Sequence, residues 1–299
     1  MCGIVGLFAK SAQIEPDLGR HLTAMLEQLT DRGPDSTGFA IYRSGAGSEA
    51  FKLSLARRSS AIAWSKLADG IEARFRTRPN FRETGHFALF ELAAQGQEIH
   101  EWLLAAYPDL RVDAFGRLIE VYKDIGKPSD VCERFALPAM SGRHAIGHTR
   151  MATESAVTVA GSHPFSTGPD QCLVHNGSLS NHNRLRRWLQ RRGMTFQTDN
   201  DSEVAASYLA LQLKSGESLE TALQSALADI DGFFTFCIGT ADGFAVMRDA
   251  IACKPAVLAE NDDWVAIGSE YRALAELPGI ERARVWEPEP GVVYSWRHR

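Results

Sequence analysis

The chain opens Met1-Cys2-Gly3-Ile4-Val5-Gly6, with a thiol directly behind the initiator methionine. Trimming of Met1 would put the Cys2 thiol and a free α-amine on one residue. A free thiol titrates at about pH 8.5 and an α-amine at about 7.7–8.0, so the amine can take the thiol proton directly or through one water. An N-terminal nucleophile of this kind needs no histidine as its base. Other chemistry-bearing residues lie at turns. The stretch "DRGPDSTG" packs Arg32 and two aspartates among glycine and proline, and "GHTRMAT" puts Arg150 where a guanidinium can grip a carboxylate with two parallel hydrogen bonds. "GSHPF" carries His163. "HNG" supplies the Asn176 amide and, at Gly177, a backbone N–H that can approach a ligand closely, the two donors an oxyanion needs. "TDNDSEV" offers Asp201 at a helix start, a carboxylate suited to an ammonium. These groups fit the binding and cleavage of a free amino acid bearing a side-chain amide.

The elements that must hold these residues follow from periodicity. "GIVGLFA" has the apolar run of a buried strand. "EPDLGRHLTAMLEQLTDRG" sets Leu18, Leu22, Met25, Leu26 and Leu29 on one helical face, with Gly33-Pro34 predicted to end the helix. "TGFAIY" resumes strand character. Between about residues 57 and 140 two strand–helix pairs are predicted, "GHFALFELAA" with "QEIHEWLLAAY" and "GRLIEVYKDIG" with "PSDVCERFAL". "RHAIGHTRM" and "QCLVHNG" read as strands on either side of a loop. Helices follow with Leu185, Trp188 and Leu189, then Val204, Tyr208 and Leu211, then Leu219, Leu223 and Leu227. "GFFTFCIGT", "GFAVMRDA", "PAVLAEN" and "DWVAIGS" are four short strands. Strands in blocks predict an α+β fold of antiparallel sheets with helices packed outside.

The 299 residues, 44% hydrophobic and 23% charged, suffice for a sizeable core. A net charge of −5 without a long basic run argues against nucleic acid or an anionic membrane as principal partner. No apolar stretch approaches the roughly 20 residues of a spanning helix, and the opening lacks the pattern of a secretory signal. Five cysteines at wide spacing form no Cys-x-x-Cys pair, which fits reduced thiols and a cytoplasmic location.

Taken in order, Cys2-Gly3-Ile4-Val5-Gly6, "RGPDSTG", "GHTRMAT", "SHPF", "HNG", "DSE", "DGFF", "RDAIACKP" and "GSE" make the sequence resemble the class II glutamine amidotransferases, which are N-terminal-nucleophile hydrolases. The resemblance implies a four-layer α/β/β/α sandwich of antiparallel sheets, here a single domain over residues 1–299 with an α/β insertion at about 57–140. It implies that Cys2 attacks the glutamine side-chain amide to form a thioester, and that Asn176 and the Gly177 N–H hold the oxyanion. Arg150 would bind the substrate α-carboxylate, Asp201 the α-ammonium, and Thr153 and His163 would line the pocket. Arg32 would sit beside the nucleophile and order the loop that covers it. The spacing from Arg32 to Arg150 and the phrase "GHTRMATESAVT" resemble the amidotransferase portion of glutamate-synthase-like systems, such as the subunit of N-methylglutamate synthase. No acceptor module follows the last strand, so a separate ammonia-accepting synthase subunit is the expected partner and glutamine the expected substrate. The FMN and iron–sulfur centre of such systems are expected on that partner, with no cofactor on this chain.

Three rivals remain. His144, His148, His163 and His175 fall close together, and 144 and 148 share a strand face, but no Asp or Glu joins them at metal-ligand spacing; no metal is expected. A free-standing N-terminal-cysteine amide hydrolase would keep the fold and change the substrate. A catalytically silent scaffold would keep only the fold.

Overall fold

The computed structural model describes residues 2–43, 50–58, 62–93, 95–152 and 156–298. The strands are β1 (Gly3–Ala9), β2 (Ser36–Tyr42), β3 (Phe51–Arg57), β4 (Asn80–Thr84), β5 (Phe87–Leu92) and β6 (Leu110–Gly116). They continue with β7 (Ile119–Ile125), β8 (His144–Arg150), β9 (Phe165–Gly168), β10 (Gln171–Leu179) and β11 (Gly232–Thr240). The last five are β12 (Gly243–Arg248), β13 (Val257–Glu260), β14 (Trp264–Gly268), β15 (Arg284–Trp286) and β16 (Val293–Arg297). The helices are α1 (Leu18–Glu27), α2 (Trp64–Phe75), α3 (Gly96–Ala106), α4 (Pro128–Arg134), α5 (His182–Gln190), α6 (Asp201–Lys214) and α7 (Leu219–Asp229).

The strands make three antiparallel sheets. Seven strands run in the order β15-β13-β14-β1-β8-β2-β7, five in the order β16-β12-β11-β10-β9, and four in the order β4-β5-β3-β6. Side chains alternate across each strand, so one strand feeds two cores. On β1, Val5, Leu7 and Ala9 face α1 with Leu18, Leu22, Met25 and Leu26. Ile4 and Phe8 point the other way, into a layer shared with Cys172, Val174, Cys237, Phe244 and Val246 of the five-stranded sheet. The opposite face of that second sheet carries Leu173, Phe234, Phe236 and Met247, and packs on α5, α6 and α7. Helix, sheet, sheet and helix thus stack as four layers around three apolar cores. That is the architecture expected from the sequence.

The third sheet has a core of its own, in which Leu53, Leu55, Phe90 and Val112 pack against Trp64, Leu67 and Ile71 of α2 and Ile99 and Leu103 of α3. It meets the seven-stranded sheet at β7 through polar bonds. Lys52 Nζ lies 2.7 Å from Glu120 Oε1, the Tyr122 hydroxyl donates to Glu120 Oε2 at 2.7 Å, and Val121 N donates to Ser54 Oγ at 2.9 Å. Within the 57–140 segment, β7 pairs with β2 from Ile119 to Ile125, and α4 packs beneath α1.

The first helix ends earlier than predicted. α1 stops at Glu27, and the chain tightens into a 3-10 turn, Thr30–Arg32. The turn keeps Leu29 fully buried and brings Arg32 to the carbonyl of Cys2. Tertiary contacts thus replace the last helical turn that the apolar spacing suggested.

Candidate active site

One end of the sandwich gathers the chemistry. Antiparallel pairing of β1 with β8 sets Gly3 opposite Thr149, so Cys2, just before β1, arrives beside the end of β8 and Arg150. Pairing of β2 with β8 sets Ser36 opposite Arg150, and Asp35 N donates to Arg150 O at 3.1 Å. The Asp35 carboxylate accepts from Ala152 N at 2.8 Å, which fixes the chain as it leaves the strand. Parity does the rest: Asn176 follows Cys172 and Val174 on the face of β10 that looks toward the seven-stranded sheet, whereas His175 faces the helices.

A cavity of about 310 Å³ opens there, lined among others by Cys2, Arg32, Arg150, His163, Asn176, Gly177 and Asp201. Seven of the eight residues singled out from the sequence therefore share one cavity; the eighth, Thr153, lies outside the described residues. Cys2 is half-buried, and its Sγ lies 3.7 Å from Met151 O. Its carbonyl is held from two sides, by Arg32 Nε at 3.0 Å and Asn176 Nδ2 at 3.1 Å. Arg32 also pairs with Glu270, 2.5 Å away, and this hydrogen-bonded guanidinium holds the Glu270 carboxyl below the usual carboxylate range. Arg32 thus grips the main chain of Cys2. The Asn176 amide also donates to Ser269 Oγ at 3.2 Å, and Ser269 Oγ accepts from Ile4 N at 2.8 Å.

Gly177 must be glycine. Its φ is +143°, and a Cβ there would sit 1.9 Å from Phe233 O and 2.9 Å from His175 Nε2. Gly33 makes a comparable close approach, where a Cβ would fall 2.4 Å from the carbonyl carbon of Thr149. Backbone thereby crosses backbone directly behind Arg150.

Asp201 begins α6, whose N-cap Asn200 accepts from Ser202 N at 2.8 Å. Asp201 Oδ2 accepts from Leu179 N at 2.9 Å, which ties the helix start to the end of β10. Behind it the Ser202 hydroxyl lies 2.9 Å from His163 Nε2, 2.8 Å from His175 Nδ1 and 3.3 Å from Asp201 Oδ1. His148 stacks on His163 at 4.0 Å between ring centroids, and its Nε2 lies 3.1 Å from His175 O. Burial disfavours the imidazolium at all three. His148 is pushed down to about 3, His163 well below the ordinary value, and His175 down despite the opposing charge of Asp201. Three neutral imidazoles and one hydroxyl thus form a rigid wall for the cavity. His144 stands apart, stacked on Tyr42 at 4.1 Å with its Nε2 2.9 Å from Thr240 O.

Several residues at the site escaped sequence reasoning. Ser202, Ser269, Glu270 and Lys254 sit inside the quoted stretches "DSE", "GSE" and "RDAIACKP" without a role assigned from type or spacing. Lys254 lines the cavity, with Nζ 5.0 Å from the centre of the Phe233 ring. Asp35 lay in "RGPDSTG", and only the pairing of β2 with β8 shows what its carboxylate holds.

The stacked layers and the cysteine ahead of the first strand define the N-terminal-nucleophile sandwich of the class II amidotransferases. Two solved structures share this fold: the glutamine phosphoribosylpyrophosphate amidotransferase of B. subtilis, at TM-score 0.61 and 19% identity, and an allosteric regulatory enzyme of purine biosynthesis, at 0.63 and 19%. Each similarity covers 99% of this chain and 49% of the solved chain, so this chain spans about half their length. The chain belongs to the glutamine amidotransferase family. Residues 148–276 match the family model described as a glutamine amidotransferase domain. The chain is 54% identical over 300 residues to the glutamine amidotransferase-like protein GlxB of Rhizobium meliloti, covering 100% of this chain and 99% of that protein. It is 33% identical to a putative glutamine amidotransferase of Methanothermobacter thermautotrophicus, covering 98% of each.

Proposed function

We propose that this protein hydrolyses the side-chain amide of glutamine through a Cys2 thioester and passes the ammonia to a separate acceptor subunit. The observation that carries the reading is the shared cavity, whose wall brings together the Cys2 thiol, the Arg32 and Arg150 guanidinium groups, the Asn176 amide and the Asp201 carboxylate. In this scheme the α-amine of Cys2, free once Met1 is trimmed, takes the thiol proton. The sulfur attacks the amide carbon, and the oxyanion forms beside the Gly177 N–H and the Asn176 amide. The C–N bond breaks and ammonia leaves with the proton held by the amine. Water then attacks the thioester, giving glutamate and the free thiol. Arg150 and Asp201, with Thr153 and His163, hold the α-carboxylate and α-ammonium ends of the substrate. Arg32 keeps the Cys2 main chain in place.

An acceptor on another chain is supported by GlxB and the archaeal relative, which match this chain over nearly their whole length and so are of about its size. A glutamate-synthase-like subunit carrying FMN and an iron–sulfur centre is the acceptor we favour. We read residues 1–299 as one glutaminase domain, to which the four-stranded sheet is an addition with its own core. The test is labelling with a glutamine-shaped diazoketone. One label on Cys2, with Met1 absent by intact mass and no glutaminase activity in Cys2→Ala, is the expected outcome. Full activity in Cys2→Ala overturns it.

A further inference from the structure

Lys123 on β7 is 4% exposed, deep between the seven-stranded sheet and the third sheet. An ammonium has three donors and no acceptor, and burying one is costly unless all three are used. Here all three have acceptors. Nζ lies 3.1 Å from Asp113 Oδ1, 3.2 Å from Ser162 O and 3.3 Å from Pro164 O. The two carbonyls flank His163, whose ring walls the cavity and meets Ser202. Asp113 is itself anchored by Arg111, with Nε 2.6 Å from Oδ1 and Nη2 2.9 Å from Oδ2. Arg111 and Asp113 both belong to β6, a strand of the third sheet. The same strand reaches the other side of the cavity, because Val112 O accepts from Gln197 Nε2 at 3.1 Å. Gln197 N in turn donates to Glu203 Oε1 at 2.7 Å, two residues beyond Asp201 on α6.

We infer that Lys123 is a positioning residue for substrate binding: anchored on Asp113 of the third sheet, its ammonium pins both carbonyls around His163 and so fixes that imidazole against Ser202. A methionine of similar length would fill the space without the desolvation penalty of a charge, but it would leave the two buried carbonyls without a donor. The third sheet is then more than a surface elaboration. β6 braces the His163 arm through Lys123 and the Asp201 arm through Gln197. The inference rests on the glutaminase reading for its kinetic consequence and on the contacts alone for its structural one.

The pair Lys123→Met and Arg111→Met, made in the full chain, separates this role from simple loss of a buried cation. In Lys123→Met, Asp113 keeps Arg111 but the carbonyls lose their donor; in Arg111→Met, Asp113 keeps Lys123 and the carbonyls are untouched. KM for glutamine is expected to rise about tenfold or more in Lys123→Met with kcat within about threefold, and to stay within about twofold in Arg111→Met. Should Lys123→Met fail to fold, Asp113→Asn loosens the same anchor and should raise KM above that of Arg111→Met. Equal KM values across the variants overturn the inference. Backbone amide exchange over residues 162–166 gives a readout independent of activity: faster exchange in Lys123→Met (or Asp113→Asn) than in Arg111→Met is expected, and equal exchange overturns the link. Wild-type protein without glutaminase activity would defeat the functional reading alone, leaving the exchange measurement to decide this one.

Discussion

At the scale of single residues, the cavity places Arg150 and Asp201 where, in the proposed function, they meet opposite ends of a small zwitterion. Arg150→Ala or Asp201→Asn, each removing one half of a charge-assisted contact in a partly buried site, should lower kcat/KM by the equivalent of about 2–5 kcal/mol. Steady-state glutamine hydrolysis checks this, and near-native kinetics in either variant would remove the residue from the substrate clamp. The cysteines make a second test. Burial pushes the Cys132 and Cys172 thiols up to about 12 and Cys237 well above its ordinary range, whereas Cys253 is exposed and Cys2 half-buried. Iodoacetamide should therefore modify Cys2 and Cys253, and glutamine should protect Cys2 alone, as peptide mapping would show. The histidine wall gives a pH dependence with a definite sign. His148 and His163 stay neutral when folded but bind protons in the unfolded chain below about pH 6.5. Their contribution is fully present above that pH and is lost as pH falls, for His148 toward about 3, at about 1.4 kcal/mol per pH unit for each histidine. Urea unfolding between pH 7.5 and 5 should show stability falling with pH, and His148→Gln should lessen the slope by about that amount.

Elements explain why the residues meet. "CGIVG" and "HNG" were legible as strand ends because period-two alternation is local, and β1 and β10 fall where the apolar pattern puts them. The edges of the helices were less legible: the spacing carried α1 to Gly33, whereas contact between Arg32 and the Cys2 carbonyl ends it at Glu27. β3, β4 and β6 and helix α2 were not distinguished at all. Their pattern is interrupted by charges such as Lys52 and Asp113, which find partners across sheets in Glu120 and Lys123. Two substitutions test the elements. Gly177→Ala faces a positive φ and the Phe233 carbonyl, so it should cost about 1–3 kcal/mol from the backbone alone, before the clash is relieved, and abolish activity. Trp64→Ala empties the core between α2 and β5 and should cost about 3–5 kcal/mol in denaturant unfolding. If that loss melts the third sheet and raises KM for glutamine as well, the brace through β6 is active.

For the whole molecule, the prediction concerns regulation. A glutaminase that works alone would release ammonia into solvent, and lids that complete a site on closure are a common remedy. Glutamine hydrolysis measured with and without the native co-purifying subunit should rise when that subunit is bound; an isolated chain already as fast as the complex would favour a free-standing amidase. Among the described residues no helix is long and apolar enough to cross a membrane. By itself the sequence determined the family, because a thiol at position two, an Asn-Gly pair and an ordered set of turn motifs are properties of residue type and order. Strand blocks and helical spacing determined antiparallel sheets with helices packed outside, and the family resemblance added the four layers. What only the tertiary structure decided is which side chains hold which. Arg32 on the Cys2 carbonyl, Ser202 between His163 and His175, and Lys123 on the carbonyls around His163 join residues 27 to 41 positions apart. Hydrogen bonds of this kind are fixed by sheet register and burial, and neither has a local signature in the chain.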